Sequence, residues 1–167
     1  MKADLLKSAQ AKLKEKYAAT PDTAIQNLTA VGTVDFDNLA CNITQPNKLN
    51  PGGLHPSSGG DGTFACPVEI MLAGWVSCAG VTFAAVRHAM KLNVDACEIT
   101  ATGTIDFRGT LAVDRDAPGG LTALKLNFRI KSNEPSEKIE KLVQLTQRYC
   151  VVHQTLCKTP SVTTEIA

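Results

Sequence analysis

The chain has 167 residues, enough to bury a sizeable core as one domain over 1–167. Its formal net charge is +1 and 44% of its residues are hydrophobic, which removes the global electrostatic case for binding nucleic acid or an anionic membrane surface. Six cysteines in so long and apolar a chain read as mostly reduced thiols, not as structural staples, and no apolar secretory leader opens it, so the expectation is a soluble cytoplasmic protein.

Residues 2–17 read as an amphipathic helix, with Leu5, Leu6 and Leu13 set among Lys7, Lys12, Lys14 and Lys16. Thr20-Pro21-Asp22 breaks it. Over residues 23–44 the pattern turns to a loose alternation (Ile25, Leu28, Val31, Val34, Phe36, Leu39, Ile43), which predicts two or three antiparallel strands with a hairpin turn at Asp37-Asn38. Residues 45–62 form a Pro/Gly/Ser/Asn-rich loop, long enough to be functional, and His55 is its one candidate for acid–base or substrate-binding work. Because this loop leads straight into the next element, it is expected to wall in Cys78.

Residues 67–91 predict a helix with no charge between Glu69 and Arg87 and with small or apolar residues on every face. Pro67 and Glu69 suit its first turn, and Arg87 and Lys91 suit its end. The run is slightly short for a bilayer span and is diluted by Gly74, Ser77, Gly80 and Thr82, so it reads as a core helix. A helix this apolar in a chain this short needs cover on all sides, which favours a dimer. Residues 94–107 alternate as a strand, 108–114 read as a second, 116–120 as a turn and 121–130 as a third. A further helix opens at residues 132–136, with Ile139, Leu142, Val143, Leu145 and Thr146 as its inner stripe, and residues 160–166 read as a short last strand. The order of elements is that of an α+β fold with a segregated antiparallel sheet.

Two thiol chemistries are open. Cys78 and Cys150 lie on different predicted helices and form a reversible redox pair only if the fold brings them together and Cys78 can ionise. Alternatively, Cys150, His153 and Cys157 fall on one helical face and, with Cys41 or Cys66, would outline a zinc site. That pattern lacks the paired Cys-x-x-Cys spacing, and no metal or other cofactor is expected.

Three stretches resemble the OsmC/Ohr family, in its broader OsmC-like branch. They are Cys66-Pro67-Val68-Glu69 running on to Val76-Ser77-Cys78-Ala79-Gly80, Asp106-Phe107-Arg108-Gly109-Thr110-Leu111 with Asp114, and Arg148-Tyr149-Cys150-Val151-Val152-His153. The loop at 52–62 is similar to the same branch. The resemblance implies an OsmC-like fold in which antiparallel sheets wrap long central helices of an intertwined homodimer. It also implies a thiol-dependent peroxidase: Cys78 attacks an organic hydroperoxide or hydrogen peroxide, Cys150 closes a disulfide with it, and a dithiol reductant of lipoyl or other type reopens it. Glu69 matches the acidic residue that holds the family's catalytic arginine over the thiolate. Residues 17–66 contain no arginine, a departure from that pattern. The alternative is a non-catalytic dimer of the same fold that binds a small apolar ligand in the interface cleft beside Cys78 and His55.

Overall fold

The computed structural model describes residues 3–37, 40–44 and 52–166. Helix α1 (Ala3–Ala19) ends where Thr20 and Pro21 turn the chain into a short 3-10 segment, Pro21–Ala24. Strands β1 (Ile25–Asp35) and β2 (Ala40–Thr44) follow as a hairpin, and a second 3-10 turn, Pro56–Ser58, lies in the loop before the central helix α2 (Pro67–Ala89). Then come β3 (Val94–Asp106), a one-turn helix α3 (Phe107–Thr110), β4 (Leu121–Ser132), α4 (Ser136–Tyr149) and α5 (Val151–Cys157). The expected hairpin turn is described as far as Asp37. Asn38 and residues 45–51 of the expected loop lie outside the described residues.

The four strands form one antiparallel sheet in the order β2-β1-β3-β4. Register follows the alternation of the sequence: Leu28 faces Gly103, Ala30 faces Ala101 and Gly32 faces Ile99, while Leu126 and Phe128 continue the same two rows on β4. That face is covered by helices. The other carries Thr29, Thr33, Thr100, Thr102, Lys125, Asn127 and Arg129, the wet side of an α+β sheet.

Helix α2 lies against the covered face. Pro67 occupies its first turn, and the Glu69 carboxylate reaches back to accept the Cys66 backbone N–H at 3.2 Å, so the helix start is capped by its own first turn. Leu72, Trp75, Val76, Ala79 and Phe83 are buried against the sheet and against α4 and α5. Small residues set the spacing. A side chain at Gly80 would stand 2.4 Å from Cys41 Sγ, and one at Gly32 would stand 2.8 Å from Val76, so helix and hairpin approach as closely as they do because both positions are glycine. By length and composition α2 could cross a membrane. Here one side of it is buried in the protein core.

Two expectations fail. Residues 108–114 are not a strand: Arg108 donates to Asp106 through Nε at 3.0–3.1 Å and pairs with Asp114 at 3.2 Å, so the chain coils back on itself through α3. Gly109 is pressed against the carbonyls of Ala117 and Pro118, which locks the knot. The tail at 160–166 makes no strand either. Val162 is largely and Ile166 fully exposed.

Candidate functional site

Cys78 sits midway along α2 and is half-buried. Cys150 reaches it from the junction of two helices. Its backbone N–H closes α4 on Thr146 O at 2.9 Å, its φ and ψ then turn extended, and its Sγ accepts the His153 N–H at 3.5 Å to start α5. One residue therefore ends one helix and caps the next, which pins its thiol. The Cys150 thiol lies beside Cys78, close enough for Cys78 to bear on its titration. Cys150 is fully buried, and that burial, with Cys78 beside it, pushes its thiol up to about 11. Backbone N–H groups of His153 and Val152 pull the other way but do not prevail. Burial thus favours the protonated form of Cys150.

Trp75 and His153 stand next to this pair, with ring centroids 5.7 Å apart. Trp75 Nε1 and His153 Nδ1 are buried without a hydrogen-bond partner among the described residues, beside a cavity of about 180 Å³. The Cys150-x-x-His153 spacing was visible in the sequence, but nothing there pointed to Trp75. His153 Nε2 lies 3.6 Å from Cys157 Sγ, and among the described residues no third donor joins them to make a metal centre.

Three arginines are engaged with other partners. Arg87 lies over the Phe36 ring at 4.9 Å, Arg108 is held by Asp106 and Asp114, and Arg148 is exposed over Tyr149 at 5.8 Å.

Glu69 and His55 are not brought to Cys78 within the chain. Glu69 precedes Cys78 by nine helical positions, which sets it about 13 Å back along the axis and roughly 180° round the helix. There it caps α2 and faces His55, whose titration it influences. His55 stacks on Phe107 with centroids 5.1 Å apart. The loop of residues 52–66 therefore walls in the N-terminal end of α2, not the thiol pair as expected, because Phe107 and the first turn of α2 anchor it. It encloses a pocket of about 430 Å³ between His55, Cys66, Val68, Ile105 and Phe107.

The remaining cysteines are free thiols. Cys97 is buried, which with Cys41 and Glu98 nearby pushes it up to about 12, and Cys66 caps α2.

Comparison with known proteins agrees with this architecture. A family model described as OsmC-like protein matches residues 60–165. Among curated proteins no sequence matches. An OsmC-like hydroperoxide resistance protein from Jannaschia sp. CCS1 superposes with a TM-score of 0.60 at 14% identity, covering 83% of this chain and 91% of that one. An OsmC-like protein from Mycoplasma pneumoniae gives 0.52 at 17% identity, covering 81% and 86%. At such identities the solved structures speak for the fold alone, whereas the family model spans well over half of the residues and both thiols of the pair. The chain belongs to the OsmC-like protein family.

Proposed function

We propose that this protein is a thiol-dependent peroxidase acting on organic hydroperoxides, with Cys78 as the attacking thiolate and Cys150 as the resolving thiol. The observation that carries the reading is the placement of Cys150, at the junction of α4 and α5, beside Cys78 of α2. The Cys78 thiolate attacks the outer peroxide oxygen, the O–O bond breaks, and the alkoxide leaves and takes up a proton as the alcohol. Cys78 is left as a sulfenic acid. Cys150 sulfur then attacks Cys78 sulfur, and the hydroxyl departs with the Cys150 proton as water. The resulting disulfide is opened by a dithiol, which leaves as its own disulfide and restores both thiols. A lipoyl-type reductant fits, since a dithiol completes the second exchange within one molecule. Six free cysteines suit a reducing, cytoplasmic setting.

The working unit in this reading is a homodimer. Met71, Gly74, Cys78, Val81 and Ala85 recur at alternating steps of three and four along α2, the spacing of a helix–helix seam. Met71 and Val81 are exposed, and a side chain added at Gly74 would meet nothing. Cys78 thus lies on a stripe that a second copy would cover. Glu69 stands too far from Cys78 to act on it within one subunit and lies on the side of α2 away from this stripe, so the reading gives it a structural part as the cap of α2.

The test is the reaction of the reduced protein with cumene hydroperoxide and hydrogen peroxide, followed by intact-mass and peptide analysis. The expected outcome is rapid oxidation at neutral pH and a Cys78–Cys150 disulfide. Cys78→Ser abolishes turnover, and Cys150→Ser stops at the sulfenic acid. Oxidation no faster than that of free cysteine, or a disulfide between other cysteines, sinks the reading.

A further inference from the structure

The pocket at the N-terminal end of α2 is built around one side chain. The chain from Gly52 to Ala65 closes on itself, with Gly53 N–H donating to Ala65 O at 2.9 Å. Inside the closed loop the His55 carbonyl accepts from Ser58 N, Gly60 N and Ser58 Oγ at 2.8–3.0 Å. Its Nδ1 accepts the Ser57 N–H at 3.0 Å, and its ring stacks on Phe107. A side chain at Gly60 would run into the Leu54 carbonyl at 1.8 Å, so only glycine lets the loop close in this way. Helix α1 braces the loop from outside: Tyr17, itself buried, donates to Ser57 O at 2.7 Å, and Gln10 donates to Ser58 O at 3.1 Å.

The consequence is chemical. Because Nδ1 is occupied as an acceptor, the neutral imidazole carries its proton on Nε2. Nε2 has no partner among the described residues, and His55 lines the cavity of about 430 Å³. That volume falls within the roughly 300–1,000 Å³ of small-molecule pockets. The walls are mainly Leu54, Val68, Ile105 and Phe107. An apolar pocket with one fixed donor selects a ligand with one acceptor, since such a ligand leaves no polar group unpaired on either side. Glu69 bears on His55 electrostatically and disfavours a second anion there.

We propose that this pocket is a ligand site of its own, taking a small, neutral, largely apolar molecule that offers one carbonyl-type acceptor oxygen to His55 Nε2–H. It is independent of the thiol pair, because Cys78 lies more than two turns further along α2 and on its opposite side. The site therefore binds without oxidising its guest.

The experiment uses acetophenone, ethylbenzene and benzoate as probes of nearly equal size with a neutral acceptor, no acceptor and an anion. Each is titrated into the full reduced chain carrying ¹⁵N-labelled histidine, and the His55 ring nitrogens are followed by NMR. Acetophenone is expected to bind roughly fivefold to tenfold more tightly than either of the others, the worth of one neutral hydrogen bond, and to shift Nε2 more than Nδ1. His55→Ala removes that advantage. Thr110→Trp, at an exposed position on the rim, fills the pocket and abolishes binding without disturbing the loop. Cys78→Ser keeps the acetophenone affinity, so failure of the peroxidase reading leaves this one standing. Three results overturn the proposal: no binding at millimolar probe, equal affinity for acetophenone and ethylbenzene, or an unchanged preference in His55→Ala.

Discussion

Cys150 and Cys97 hold their protons more tightly in the folded protein than in the unfolded chain, at about 11 and about 12 against an ordinary thiol near 8.5, and burial is the main cause in both. The sign of the linkage follows. Their contribution to stability is complete below about pH 8.5 and is lost as pH rises towards the folded values, because the unfolded chain sheds these protons first. Calorimetry of the reduced protein should show its melting temperature falling between about pH 9 and 11, and Cys97→Ala should flatten part of that fall. A pH-independent melting temperature over that range would mean the thiols are not buried as described. The same difference orders reactivity. Exposed Cys157 should take iodoacetamide first at pH 8, with Cys97 and Cys150 last, as read by peptide mass spectrometry. The sequence told part of this: Cys78 and Cys150 were singled out as thiols on two different helices and by resemblance, but no spacing could show them side by side, since they stand 72 positions apart. Glu69 was placed with Cys78 by resemblance and His55 by the loop that leads into α2, and within one chain helix geometry sets Glu69 about 13 Å from the thiol along the axis.

The elements that were legible are those whose pattern and environment agree. The alternation of residues 121–130 gave β4 because one face of it is wet, and the uncharged run after Pro67 gave α2 because the helix is covered by the sheet. Residues 108–114 misled because Thr110 and Val113 favour strands and the run between them is apolar, while the local ion pairs of Arg108 hold the chain in a turn. Asp106 is buried, and Arg108 beside it holds its carboxyl below the usual range. Its stabilising effect is therefore present above about pH 4 and is lost as pH falls through the lowered value. Asp106→Asn should destabilise the protein by about 2 kcal/mol, as expected for breaking a largely buried charge pair with one half-exposed partner. The variant should also show a shallower loss of stability below pH 4 in urea titrations. A wild-type-like midpoint would show that the knot is held by packing alone. Close contact between α2 and the hairpin can be tested in the same way. Gly80→Ala places a methyl against Cys41 and should cost about 1–3 kcal/mol, with partial rescue in the double variant Gly80→Ala, Cys41→Ala.

At the scale of the molecule, one sheet covers one side of α2, and the seam of Met71, Gly74, Cys78, Val81 and Ala85 is left on the other. A stripe of this kind runs along the most apolar helix in the chain and carries the thiol assigned to peroxide chemistry. Leaving it in water costs about 25 cal/mol for each Å² of apolar surface that a second copy could bury. Gly74 matters here for the reason Gly80 matters inside: it lets another backbone come close. The protein is therefore expected to sediment as a dimer at micromolar concentration. Val81→Asp puts a charge into the seam with no partner for it, and should give a folded monomer in sedimentation equilibrium, with an unchanged far-ultraviolet circular dichroism spectrum. Since Cys78 sits in the same seam, that monomer should also consume cumene hydroperoxide at least tenfold more slowly. The two readouts separate the claims. A wild-type protein that sediments as a monomer removes the seam as an interface. A monomeric variant with full activity keeps the interface but shows that each subunit completes its own thiol site.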